Sequence, residues 1–378
     1  MAIPWLSWIP GAGRWLWSKI RGRPTVQADR GALAAGRDQA MSAIVIFAQA
    51  GASVNVNVYV DDLPQAKAEI RDHFEKGQEL QEAEQHEAAI REFEKALAAA
   101  EGDGQRCAIH TLIGNSFMNL ARLAEAGGHY GQALQAADKA RDKQGTAAAL
   151  VGLGLVYADR DDLDRAEETY RKALAIHEEI GDRLGQARCL GNLGLVYADR
   201  GDLDKAEEHQ KRALAIDQET GNRLGQAQDL GNLGNVYRQR GDLDKAEEHY
   251  RRVLGIHQEV PNLLSRATTL GNLGLVHLQR GHLDKAEEHF NKALAIYQEI
   301  GNRLGQAKQL ASLALVAGIR GESGRASGLL NQAQALYEAI GAGGEGAKLV
   351  REALERLQAA GPPKGKPKRS RKKAPPKP

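Results

Sequence analysis

Cysteine is nearly absent: Cys107 and Cys189 are the two in 378 residues. So sparse a pair cannot frame a disulfide scaffold, and it suits a reducing compartment, so a cytoplasmic location is expected. No run of about 18 apolar residues occurs, which argues against a membrane-spanning helix. Nor does the start read as a secretory signal, because Pro4, Pro10, Gly11 and Gly13 break its apolar stretch and no cationic segment precedes it. The signatures of a phosphate-binding loop, a zinc protease, a serine-hydrolase elbow and a paired-cysteine redox site are all missing. Gly341 to Gly346 spells GxGxxG, but the segment follows a helical pattern rather than a strand, so it reads as a glycine-rich turn. Neither catalysis nor a cofactor nor a metal is expected.

Acid is lacking at both ends. Residues 362–378 carry 8 basic residues and no acids, and residues 1–24 carry 4 basic residues and no acids. Removing these leaves 39 basic against 49 acidic residues, so a formal charge of +2 conceals an acidic body between basic termini. All four tryptophans, Trp5, Trp8, Trp15 and Trp17, lie in the leader 1–24 beside Arg14, Lys19, Arg21 and Arg23. Tryptophan favours the membrane–water interface and adjacent cations favour anionic lipid, so Trp5, Trp8, Trp15, Trp17, Arg14 and Lys19 are expected to touch a membrane surface. Durable attachment generally needs two signals, and the basic tail 361–378 supplies the second, which places the chain peripherally at the inner membrane face. No aromatic residue interleaves the tail, so nucleic acid is the weaker reading of its charge. Residues 25–62 are rich in small residues, and Val54, Val56, Val58 and Val60 alternate with Asn55, Asn57 and Tyr59, a β-strand period.

The rest is repetition. A block of forty residues recurs almost letter for letter, with glycines at 154, 194, 234 and 274 and alanines at 166, 206, 246, 286 and 326. In the copy at 185–224, Leu190, Leu193, Val196 and Tyr197 share one helical face, and Gly201 is suited to a left-handed cap. Asp202 is suited to N-cap a second helix burying Leu203, Ala206, Ala213, Leu214 and Ile216. On its outer face Glu207 precedes Lys211 by four, the favoured order for an ion pair. The pattern predicts seven helix pairs, near 66–101, 105–143, 145–183, 185–223, 225–263, 265–303 and 305–340, in an array spanning 63–342. A capping helix at 343–360 then covers the exposed end. The run ARLAEAGGHYGQA reads as roughly seven extra residues in the second pair.

The spacing of Leu190, Leu193, Gly194, Tyr197, Ala206 and Ala213, with Tyr250 in the next copy, resembles the tetratricopeptide repeat. The period is longer than the usual ~34 residues. It is similar to the long form in kinesin light chains, Leu-Gly-Asn-type adaptors and bacterial regulators. Departures are Asp161 and Pro261 for turn glycines, His282 for a capping Asp, and Ala314 for the packing glycine. The resemblance implies an all-α, right-handed α-α superhelix whose first helices line a concave groove for a peptide or helix of a partner protein. It places the binding side chains beside the Leu–Gly pair, here Asn192, Asn232, Asn272, Ser312 and Asn235, with Arg188, Gln228, Arg238, Gln239, Gln279 and Lys308 as neighbours. A carboxamide both donates and accepts, so it can bracket the N–H and C=O of an extended backbone. The implied function is a non-enzymatic adaptor or scaffold, the alternative being a peptide-responsive sensor whose array changes shape on binding.

Four other rows read as structure. Tyr157, Tyr197, Tyr237 and His277 share one position in the period, and Tyr170, Gln210, Tyr250, Phe290 and Leu330 another, both expected in the core. Arg160, Arg200, Arg240, Arg280 and Arg320 are expected to interact with the C-termini of their own helices. His209, His249 and His289 sit on separate hairpins, too far apart to share a zinc ion.

Overall fold

The computed structural model describes residues 68–341 and 345–359. The leader, the β-prone segment and the basic tail lie outside the described residues, as do the side chains expected to meet a membrane. Among the described residues every regular element is a helix and none is long and apolar enough to cross a membrane.

Seven helix pairs follow one another. They are α1 (Ala68–Glu82) and α2 (His86–Ala99); α3 (Asp103–Asn119) and α4 (Leu123–Ala140); α5 (Lys143–Asp159) and α6 (Leu163–Glu179); α7 (Arg183–Arg200) and α8 (Leu203–Glu219); α9 (Arg223–Arg240) and α10 (Leu243–Glu259); α11 (Leu263–Gln279) and α12 (Leu283–Glu299); and α13 (Arg303–Ile319) and α14 (Ser323–Ala339). A lone helix, α15 (Glu345–Ala359), comes last and packs on α14. The expected all-α array of repeated hairpins is what the chain forms. Two compact bodies divide it between Gly305 and Gln306. In the larger body each helix from α1 to α12 packs on the next.

Local chemistry explains the punctuation. Gly201 and Gly241 take φ of +82° and +92° and close α7 and α9, a backbone that L side chains resist. The side chains of Asp142, Asp182, Asn222 and Asn262 each accept a bond from the backbone N–H three residues on, at the starts of α5, α7, α9 and α11. First helices thus begin about two residues earlier than the sequence pattern implies, because these caps precede the apolar stripe. Asp161 adopts φ +64° where other copies have glycine, and His282 starts α12 without a side-chain cap bond.

The second pair is not longer than the others. Its α3 and α4 have 17 and 18 residues, the helix lengths of the five pairs that follow. Its turn is hidden because Ala121, at φ +58°, stands where other copies carry glycine, while Gly127 and Gly128 lie inside α4. It is the first pair that is short, since its packing glycine, Gly77, precedes Gly114 by fewer than forty residues.

The core repeats one contact. On five first helices a glycine receives a ring from the second helix: Gly77 takes Phe93, Gly114 Tyr130, Gly154 Tyr170, Gly234 Tyr250 and Gly274 Phe290. A Cβ on Gly234 would stand 2.6 Å from the Tyr250 ring, so these positions fix the approach of the two helices. Gly194 instead faces the amide of Gln210, and α13 carries Ala314 at this position. Around these contacts Ala166, Ala206, Ala246 and Ala286 are fully buried, as their spacing implies.

Neighbouring repeats are braced by ions. Arg200 pairs with Asp164 and Glu167 of the preceding second helix, Arg240 with Asp204 and Glu207, and Arg280 with Asp244 and Glu247. Tyr197 and Tyr237 donate their hydroxyls to Glu167 and Glu207, each at 2.6 Å. A second set ties the starts of α5, α7 and α9 to the ends of their own second helices, through Lys143–Glu179, Arg183–Glu219 and Arg223–Glu259. The arginine row therefore acts between repeats, which corrects the expectation that it serves its own helix ends. His209, His249 and His289 bond the backbone carbonyls of Lys205, Lys245 and Lys285. Each ring lies tilted against that of Tyr197, Tyr237 or His277, with centroids 5.0 Å apart. That row is structural.

Candidate functional site

The site is built from the faces of α7, α9 and α11 that the second helices leave uncovered. Packing against the second helices buries Leu190, Leu193 and Val196 on α7, with their equivalents on α9 and α11. The remaining stripe carries Asn192, Asn232 and Asn272, one per repeat and all half-buried. Gln228, Thr268 and Gln279 stand exposed along it, and Gln239 is half-buried.

The three asparagines differ in what holds them. Asn272 donates to Asn235 Oδ1 at 3.3 Å, and the same oxygen accepts the Tyr250 hydroxyl at 2.7 Å. The position that Asn235 fills is Leu155 and Leu195 in the two earlier copies, so Asn192 and Asn232 have no such acceptor there. Asn232 instead reaches Gln210 Oε1 at 3.4 Å, and Gln210 Nε2 donates to the Gly191 carbonyl at 2.8 Å. Asn232 and Asn272 are thus pre-oriented by one bond each, and a carboxamide has further donor and acceptor capacity beyond that.

The cations are less accessible than the sequence implies. Arg238 is 3% exposed. Burial pulls its guanidinium down to about 10, against the Tyr250 hydroxyl, which acts the other way. Arg188 is half-buried, and desolvation lowers it despite the pull of Cys189, Asp182 and Asp217. Lys308 and Ser312 lie on α13 in the smaller body, where Ser312 donates to the Lys308 carbonyl at 3.0 Å. Burial lowers the Lys308 ammonium to about 8. Gln210 is buried, as its row implies, and it also positions Asn232, a role the repeat pattern does not show. Its being the one amide in that row was the available signal.

Repeat length, glycine–aromatic packing and paired helices together define a tetratricopeptide-type array. The tetratricopeptide repeat model matches residues 105–179, 145–219, 185–259, 226–299 and 265–339. The chain belongs to the tetratricopeptide repeat family. No curated protein matches it in sequence. Among solved structures, aspartyl phosphate phosphatase F from Bacillus subtilis is similar, with a TM-score of 0.60, 16% identity and coverage of 75% of each chain. The apo form of RapI gives a TM-score of 0.57 at 16% identity, covering 76% of this chain and 99% of its own. A Rap protein complexed with competence and sporulation factor gives 0.54 at 17% identity, covering 78% and 76%. At such identities the likeness is one of fold.

Proposed function

We propose that the stripe on α7, α9 and α11 holds an extended segment of another protein, making this chain a non-enzymatic adaptor or scaffold. One observation carries the reading: Asn192, Asn232 and Asn272 occupy the same position in successive repeats, half-exposed, with two of them oriented by internal bonds. Amides in register suit a peptide main chain, which offers a donor and an acceptor at every residue, and they select little for its side chains. Gln228, Gln239, Gln279 and Thr268 extend the polar stripe, with Arg188 at one margin. Ser312 and Lys308, in the smaller body, hold the equivalent positions of the sequence period and are proposed, by themselves, as peptide-binding side chains. The Rap protein solved with competence and sporulation factor shows the fold engaging a ligand in that relative, and here it serves as analogy. Attachment at a membrane surface through the leader and tail is a further part of the proposal, and it rests on sequence alone.

The test uses a peptide selected from a random library against the full chain. Asn232→Ala combined with Asn272→Ala is expected to weaken binding by about ten- to a hundredfold, from two lost hydrogen bonds per ligand. Fluorescence anisotropy reads this directly, with circular dichroism confirming that the variant stays helical. Unchanged affinity in a folded variant would remove the asparagine ladder from the site.

A further inference from the structure

One joint in the array is unlike the rest. Position 210 holds an amide where the other copies place Tyr130, Tyr170, Tyr250, Phe290 or Leu330. Position 217 holds Asp where they place Ala137, His177, His257, Tyr297 or Tyr337, and position 229 holds Asp where they place Ala149, Cys189, Thr269 or Gln309. All three fall at the packing of α8 on α9, and all are buried, with exposures of 0%, 3% and 5%. Apolar packing crosses the joint on either side of these polar groups. One cluster runs from Ile70 to Ala206 with Val236, and another runs from Leu214 to Val276.

The two carboxyls occupy one buried space. Asn222 Nδ2 donates to Asp217 Oδ1 at 3.0 Å, and the other Asp217 oxygen lies against Gly225, in room that a side chain there would fill. Asp229 Oδ2 is buried with no hydrogen-bond partner among the described residues. The remaining groups facing the pair come from α7: Arg188 draws on Asp217, and Asp182 and Cys189 bear on Arg188. From α10 and α11 no titratable group acts on either carboxyl among the described residues. Two carboxylates this deep cannot both ionise without unpaired buried charge, whereas one shared proton lets the first donate to the second.

We propose that the α8–α9 joint is gated by a proton held between Asp217 and Asp229, and that its loss loosens this joint ahead of every other in the array. Burial, first, and then its neighbour push Asp229 well above the usual carboxylate range, and burial raises Asp217 to about 6 despite Asn222 and Arg188. Because both groups sit above their unfolded values, the folded chain binds more protons than the unfolded chain from about pH 4 upward. Their contribution to stability is therefore greatest in acid and falls as pH rises through 6 and beyond. The joint is also tied to the candidate site, since Gln210 holds Asn232 and Arg188 borders the stripe.

Hydrogen–deuterium exchange of the full chain at pH 5 and pH 8, corrected for intrinsic exchange rates, tests this. Peptides from α8 and α9 are expected to lose protection by about tenfold or more at the higher pH, as about one pKa unit of linkage gives, while α5, α6 and α12 keep theirs. In Asp229→Asn, whose amide can donate to Asp217 without a titrating proton, the α8–α9 difference between the two pH values is expected to shrink markedly. Should that variant fold poorly, Asp229→Thr, which installs the residue of the next copy, carries the same expectation. A loss of protection spread evenly over all repeats, or an α8–α9 response undiminished in the folded variant, would overturn the proposal. Neither result depends on any ligand, so it stands or falls apart from the binding reading.

Discussion

Phe290→Ala is expected to lower the unfolding free energy by about 3–5 kcal/mol. The ring is fully buried, and it lies directly on the backbone at Gly274. Truncation therefore removes the transfer free energy of the ring and leaves a cavity between α11 and α12 that the glycine cannot fill. Collapse of the two helices would fill it only by dragging Ala293, Tyr297 and Leu270 from their contacts. Because each pair is held by its neighbours, the loss should appear first as opening of this repeat rather than as global unfolding. Urea unfolding followed by circular dichroism should lose its single sigmoid and show an early phase. Phe290→Tyr, which copies Tyr170 on Gly154, should cost under about 1.5 kcal/mol. Equal effects for the two variants would mean that the ring does not set the helix spacing.

Glu207→Ala is expected to destabilise by about 1.5–3 kcal/mol, more than an exposed ion pair would. The carboxylate is largely covered and serves three donors: the Tyr237 hydroxyl, Arg240 and Lys211. Its removal leaves the Tyr237 hydroxyl and one arm of Arg240 without an acceptor across the boundary between two repeats. Glu207→Gln, which keeps an oxygen for Tyr237, should lose less. The titration has a definite sign. Burial raises the Glu207 carboxyl, but Lys211, Tyr237 and Arg240 together outweigh it and hold it at about 2. Its stabilising contribution is thus complete above about pH 4.5 and disappears as pH falls toward 2. Wild type should show an acid loss of stability that Glu207→Ala lacks, read from unfolding midpoints at pH 3 and pH 6.

The period made the hairpins legible, because a pattern repeated at Gly154, Gly194, Gly234 and Gly274 needs no tertiary knowledge to be seen. Turns were legible where glycine marked them, as at Gly201 and Gly241, and illegible where Ala121 or Arg141 took the same left-handed backbone. The arginine row shows a different limit. Arg200 looks like a helix-end cation until its partners, Asp164 and Glu167, are found in the preceding repeat. Which acid faces it depends on how two hairpins stack, and that register is not written in either hairpin alone. The asparagine stripe was visible as a row, but the bonds that orient Asn232 and Asn272 were not. They come from Gln210 and Asn235, residues that break the pattern of their own rows. Repetition thus reveals the scaffold, and departures from it reveal the positions with separate duties.

The placement of a bound polypeptide is the most direct test of the whole reading. A photoreactive residue can be placed at Gln228 or Gln279 on the exposed stripe of the first helices, or at Glu208 or Glu248 on the outer faces of α8 and α10. Each labelled chain is then irradiated with the library-selected peptide and the adducts are mapped by mass spectrometry. Adducts from Gln228 and Gln279, with none from Glu208 or Glu248, are the expected result. Adducts confined to Glu208 and Glu248 would contradict it, because the polypeptide would then lie on the opposite side of the repeats from the asparagines.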